Sequence, residues 1–206
     1  MQGLHLGPGE VFSFWKLVGN PNEKNGYRAA STLIQNKVNM AVGGGLCQLS
    51  GVIYNVALLA GCEILERHPH TIDAYGDGRY IPLGRDATVD YPFADLCFQN
   101  PHAFPLVLVL RIEPDQASGA LYAPKPREWT VEIHVSPAEV IPSPIQFCVD
   151  VSLQEGKRRV QPGLDGKRVT AWRIIQSGDG EVRRERLSTD SYLATPTFIR
   201  IGGGSA

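Results

Sequence analysis

Between residues 46 and 60 the apolar positions recur at helical spacing: Leu46, Leu49, Ile53, Val56 and Ala60, with Val52, Leu58 and Leu59 widening the stripe. Gly61 stops the run as a C-terminal cap does. The pattern predicts one mostly buried helix of about four turns. Elsewhere the segments read as strands. Residues 11–18 are aromatic and apolar enough for one (Phe12, Phe14, Trp15), broken by Gly19-Asn20-Pro21-Asn22 and followed by a turn at Asn25-Gly26. Residues 29–42 read as two short strands around Asn36-Lys37. After the helix, strands are expected at 63–68, 87–91 and 96–98, a buried one at 106–112, and a cleanly alternating, half-buried one at 130–135.

Three prolines between 136 and 144 mark a boundary. Beyond it, 146–151, 169–175 and 181–187 are strand-like. They are separated by Gly163-Leu164-Asp165-Gly166 and by Ser177-Gly178-Asp179-Gly180, which has the make-up of a tight hairpin turn. The expected fold class is therefore α+β. A β-rich domain over 1–140 holds one main buried helix starting at a glycine-rich loop. A small antiparallel β module follows over 141–201. Gly202-Gly203-Gly204-Ser205-Ala206 has the composition of a flexible tail.

Composition narrows the class without changing that picture. A chain of 206 residues, 43% hydrophobic, with a formal net charge of −1, can bury an ample core and has no basic excess pointing to nucleic acid. Plentiful Gly (22) and Pro (15) favour many turns. There is no apolar run of about 18 residues to form a transmembrane helix, and residues 1–12 lack the basic and apolar regions of a secretory signal. At face value the chain is cytoplasmic. Its abrupt entry at Leu6-Gly7-Pro8-Gly9-Glu10-Val11 reads as a fragment or short form of a longer protein.

The candidate chemistry sits where the helix begins. Gly43-Gly44-Gly45-Leu46-Cys47-Gln48 delivers a thiol onto a first helical turn, where unpaired N–H groups and the positive dipole end favour thiolate. Glycines let backbone N–H groups turn toward a bound oxyanion. The alternative is a glycine turn followed by a packed cysteine. A nucleophilic cysteine needs a base and the base an orienting group. His68 and His70 lie at the end of the strand returning from the helix, and Asp86 lies on a turn before the next strand; each also has a plain surface or turn-bracing reading. Arg67 and Arg85 suit a substrate carboxylate, or are simply solvated; Gln48 offers an amide donor. Cys62 reads as buried filler, and Cys97 and Cys148 lie in strand-like runs. The four cysteines make no CxxC pair and no zinc spacing, so neither a metal nor a cofactor is expected.

Five blocks in order resemble the VanW family: Pro8-Gly9-Glu10-Val11-Phe12-Ser13-Phe14-Trp15; Gly26-Tyr27; Gly43-Gly44-Gly45-Leu46-Cys47-Gln48-Leu49-Ser50 with Tyr54-Asn55; Glu66-Arg67-His68-Pro69-His70; and Gly84-Arg85-Asp86-Ala87-Thr88-Val89 with Asp95-Leu96 and Asn100. The resemblance covers about residues 6 to 112; Pro162-Gly163, Arg173 and Ser188-Thr189-Asp190-Ser191-Tyr192 resemble, more loosely, the β-rich tail of longer members. It implies a cell-wall setting on the outer side of the membrane, with peptidoglycan stem peptides or a cell-wall precursor as partner. Some members are linked to cysteine-dependent L,D-transpeptidation, the formation of 3→3 cross-links. Cys47, His70 and Asp86 fall on the family's motif cysteine, histidine and aspartate. On that reading Cys47 is the nucleophile, His70 the acid–base group and Asp86 its orienting partner. The backbone around Gly44 and Gly45, with Gln48, holds the oxyanion, and Arg67 or Arg85 takes a peptide carboxylate. The competing reading is a non-catalytic accessory module that binds a cell-wall peptide or partner and is associated with glycopeptide resistance.

Overall fold

The computed structural model describes residues 3–34, 37–73, 75–114 and 116–204. Along the chain run β1 (Leu4–Leu6), β2 (Val11–Ser13), α1 (Phe14–Val18), β3 (Ala29–Ile34), β4 (Lys37–Val42), α2 (Leu46–Leu59), β5 (Glu63–Glu66), β6 (Cys97–Gln99), β7 (Leu106–Ile112) and β8 (Ala117–Tyr122). There follow β9 (Trp129–Val135), β10 (Glu139–Ile141), β11 (Ile145–Gln154), β12 (Arg158–Gln161), β13 (Gly166–Ser177), β14 (Val182–Tyr192) and β15 (Thr197–Gly204). Strands dominate, so the α+β expectation is corrected to a β-rich fold carrying one main helix. The physical reason is local: frequent Gly and Pro punctuation keeps segments short, and the chain beyond α2 repeats with a period of two.

Two small antiparallel sheets, β1–β7–β8 and β2–β6–β5, pack with α2 around the core. The helix buries Ser50, Gly51, Ile53, Tyr54, Ala57 and Leu58. They join Phe12, Phe14, Leu96, Phe98, Leu106 and Leu108. Each large side chain fully buried there contributes about 1.5–3 kcal/mol. Phe12 stacks on Phe98 with ring centroids 4.7 Å apart. At Gly51 a Cβ would fall 2.5 Å from Ile81, so glycine lets the Ile81 side chain press onto the helix.

Several expectations shift. Residues 11–18 split into strand and helix because Ser13 Oγ accepts from Lys16 N–H at 3.1 Å, while Asp95 accepts from Ser13 Oγ and Trp15 N–H. Residues 87–91 form single bridges, His68 with Thr88 and Asp90 with Ala94, because the chain turns back at once through Phe93 N–H to Asp90 O. β3 and β4 pair as an antiparallel hairpin; the turn expected at Asn36 falls outside the described residues.

The C-terminal region is not a purely antiparallel module. β13 pairs with β9, β10 and β14, all antiparallel, so one sheet takes strands from both sides of residue 140. The turn between β13 and β14 is tight, with Gly180 N–H donating to Ser177 O and Ser177 N–H to Glu181 O. In the last sheet β15 lies between β11 and β12 and runs parallel to β11. Gly202 and Gly204, expected in a flexible tail, pair with Asp150 and Gln154 inside β15; Ser205 and Ala206 lie outside the described residues.

Candidate functional site

Gly43 and Gly45 have φ of 86° and 91°, left-handed values that glycine adopts without a Cβ clash, and they turn the chain into α2. Gly45 occupies the N-cap position and supplies no side-chain hydrogen bond. Leu46 N–H donates to Gly43 O (3.2 Å) and Leu49 N–H to Gly45 O (3.1 Å). Among the described residues, the N–H groups of Cys47 and Gln48 have no backbone acceptor, as a first turn leaves them. Cys47 is the second residue of this helix and is partly buried.

Its Sγ lies 3.3 Å from Thr88 Oγ1 and 3.6 Å from Val89 O. His70 stands beyond β5 and is clamped by one carboxylate: Asp86 Oδ2 is 2.8 Å from His70 N and 2.7 Å from Nδ1. With Nδ1–H donating to Asp86, Nε2 is the ring nitrogen left for Cys47. Asp86 Oδ1 accepts from Tyr192 OH (2.5 Å) and Arg67 Nη2 (3.0 Å). Tyr192 OH in turn accepts from Gly84 N–H at 2.9 Å. Arg67 also reaches Asp86 O through Nε and Asp190 Oδ2 through Nη1, both at 2.6 Å, and lies over the Tyr54 ring.

These contacts set the charges. Burial opposes ionisation of Cys47, but the neighbouring His70 and Thr88 outweigh it, and the thiol pKa is lowered. Burial likewise opposes the imidazolium, yet the Asp86 hydrogen bond and the nearby Asp86 and Cys47 carry His70 up to about 9. Against its own burial, Asp86 is held down to about 2 by His70, Arg67 and Tyr192. The arrangement therefore shifts Cys47 toward thiolate beside an imidazole that is protonated at neutral pH and backed by an ionised carboxylate.

The remaining candidates fall at different distances from this cluster. Gly44 and Gly45 lie in the turn beneath Cys47, and the Gln48 side chain is exposed on the same first turn. His68 faces away, its Nε2 2.9 Å from Glu66 Oε1. Arg67, expected on a substrate carboxylate, is only 5% exposed and is ion-paired with Asp86 and Asp190. Arg85 is directed by Nε to Asn55 Oδ1 at 2.7 Å, about 12 Å along α2 from Cys47. That contact removes it from the thiol's surroundings. Sequence reasoning missed Thr88 as a contact of Sγ, although the residue stands in a quoted block. It also missed Tyr192 and Asp190 as partners of the Asp86–Arg67 pair; their only signal was the looser resemblance of the segment that holds them. Among the described residues no group of His, Cys, Asp or Glu converges as a metal site, and no helix is long and apolar enough to cross a membrane.

The thiol at the helix start and the carboxylate-clamped imidazole both lie within the segment that carries the family match. The family described as VanW like protein matches residues 1–122, and this chain belongs to that family. It is 37% identical over 101 residues to the uncharacterized protein YoaR of Bacillus subtilis (strain 168), covering 49% of this chain and 32% of that protein. It is 28% identical over 126 residues to the vancomycin B-type resistance protein VanW of Enterococcus faecalis, covering 61% of this chain and 46% of that protein. The chain thus spans less than half the length of either relative. The G5 domain of IgA1 protease overlaps 38% of this chain and 95% of its own at 26% identity, with a TM-score of 0.28, which carries no inference about fold or function.

Proposed function

We propose that Cys47, His70 and Asp86 form a thiol acyl-transfer centre acting on cell-wall peptides. The observation that carries this reading is the clamp of His70 by Asp86 beside a thiol on the first turn of α2. The Cys47 thiolate attacks a peptide carbonyl carbon. The carbonyl oxygen takes up the charge and is held by the Cys47 and Gln48 N–H groups in the turn built by Gly44 and Gly45. His70 passes its Nε2 proton to the leaving amine as the C–N bond breaks, leaving an acyl thioester on Cys47. An acceptor amine attacks that thioester, gives its proton to His70, and releases the thiol as thiolate. Asp86 stays ionised throughout and fixes the imidazole. With peptidoglycan stem peptides as donor and acceptor the product is a 3→3 cross-link, the L,D-transpeptidase-like reaction to which the family resemblance points.

Incubating the protein with a stem tetrapeptide and an amine acceptor tests this by mass spectrometry. A transient adduct on Cys47 and a cross-linked product, both lost in Cys47→Ala, are expected. A product that persists in Cys47→Ala overturns the mechanism. A second reading is a non-catalytic module that binds the same peptides in glycopeptide resistance. It is favoured by the packing of Sγ against Thr88 and Val89, and by the naming of one matched relative for vancomycin resistance. Binding without any adduct would establish it.

A further inference from the structure

A polar groove of about 590 Å³, within the size range of ligand sites, lies between β5 and β14. One wall is formed by the consecutive residues Glu63 to Arg67 and the other by Glu185 to Ser188. In a strand, consecutive residues point to opposite faces, so an unbroken run along a wall means that the strand's edge faces the groove. Both strands are sheet edges: among the described residues, β5 pairs only with β6 and β14 only with β13. The groove is therefore bounded by two unpaired main-chain edges, which is the setting for adding a peptide strand.

Its ends are fixed by two arginines. Arg173 Nη1 donates to Cys62 O (2.7 Å) and Leu58 O (3.3 Å) and its Nε to Glu185 Oε1 (2.6 Å) at one end; Arg67 binds Asp190 at the other. Because residues 62 and 67 match 185 and 190 in the same order, the two edges run in the same direction. The Arg67 end abuts Asp86, so the groove leads to the candidate catalytic cluster. Each wall also carries an irregularity that re-aims side chains: the register slips between Ile64 and Glu66 in β5, and opposite Ala171/Trp172 in β14. Charges of both signs line it: Glu66 is held by His68 and Arg183 by Glu185, while Glu63 and Arg186 make no ion pair among the described residues. Ser188 Oγ is buried there with no hydrogen-bond partner among the described residues.

We propose that this groove binds a short extended peptide carrying a free side-chain amine and a carboxylate, laid between β5 and β14. The amine meets Glu63, the carboxylate meets Arg186, and a main-chain group of the peptide satisfies Ser188 Oγ. This rests on the peptide-recognising half of the proposed function and not on the chemistry at Cys47.

The test uses Cys47→Ala protein, so loss of chemistry is not confused with loss of binding. The probe is synthetic Ala-γ-D-Glu-Lys-D-Ala, followed by amide NMR and calorimetry. Shifts at residues 64–66 and 185–188 are expected. Glu63→Gln and Arg186→Ser lie at exposed positions and spare the buried bridges; each should weaken binding about three- to tenfold. Acetylating the lysine amine of the probe should act like Glu63→Gln and add nothing to it. Shifts confined to residues 45–48 and 70, or unchanged affinity in both variants, would overturn the proposal.

Discussion

The two ends of helix α2 each carry a cysteine, and the surroundings drive them in opposite directions. Cys47 stands at the start, beside His70 and Thr88, and its pKa is lowered. Cys62 follows the helix, is fully buried, and is pushed up to about 12 by burial that the nearby Arg173 charge only partly offsets. Both thiols are enclosed by protein, so enclosure alone does not decide ionisation. What differs is the supply of hydrogen-bond partners at the sulfur, which His70 and Thr88 provide for Cys47; a nearby charge alone does not bring Cys62 down.

The sharpest way to break this contrast is His70→Ala. With the imidazole gone, burial acts on Cys47 as it does on Cys62, and alkylation at pH 7 should fall at least about tenfold. Asp86→Asn comes next. His70 should drop from about 9 to or below its ordinary value of about 6.5, read by NMR titration. It should also cost roughly 3 kcal/mol in denaturant unfolding, because Arg67 loses one of its two buried partners.

The same pair sets a pH profile for stability. Asp86, lowered in the fold to about 2, contributes stability that is complete above its unfolded value of about 3.9 and is lost as pH falls toward 2. His70, raised to about 9, contributes stability that is complete below about 6.5 and is lost as pH rises through 9. Thermal unfolding should therefore show this contribution at its fullest between about pH 4 and 6.5, and Asp86→Asn should flatten both limbs.

Tyr192→Phe sharpens the account at smaller scale. Removing the hydroxyl donor makes Asp86 a stronger partner for His70, so the His70 titration should move further up while stability falls by about 1 kcal/mol. A merely structural role for Tyr192 would leave the titration where it was. Smallest of all, Thr88→Val removes one contact to Sγ and should slow alkylation of Cys47 about threefold at neutral pH.

Much of the site could be read along the chain because its geometry is local. The apolar period of α2 and the glycines before it fix where Cys47 stands, and the helix found at Leu46–Leu59 closely matches the one expected. His70 and Asp86 follow within forty residues of Cys47. The rest depends on contacts between distant segments. Tyr192 reaches Asp86 across 106 positions and Arg67 reaches Asp190 across 123, and no spacing rule connects them. Residues 14–18 turn into a helix because Asp95, about eighty positions on, accepts from Ser13 and Trp15 at its start. The parallel pairing of β11 with β15 likewise leaves no mark in either strand's own alternation.

One measurement tests the contrast at the heart of this account: alkylation rates of Cys47 and Cys62 followed together from pH 5 to 10, in the folded protein and in His70→Ala. The account predicts that Cys47 reacts well below the ordinary thiol value of about 8.5 and loses that reactivity in the variant, while Cys62 stays inert in both. A Cys47 profile that tracks an ordinary thiol, or one unmoved by His70→Ala, would contradict it.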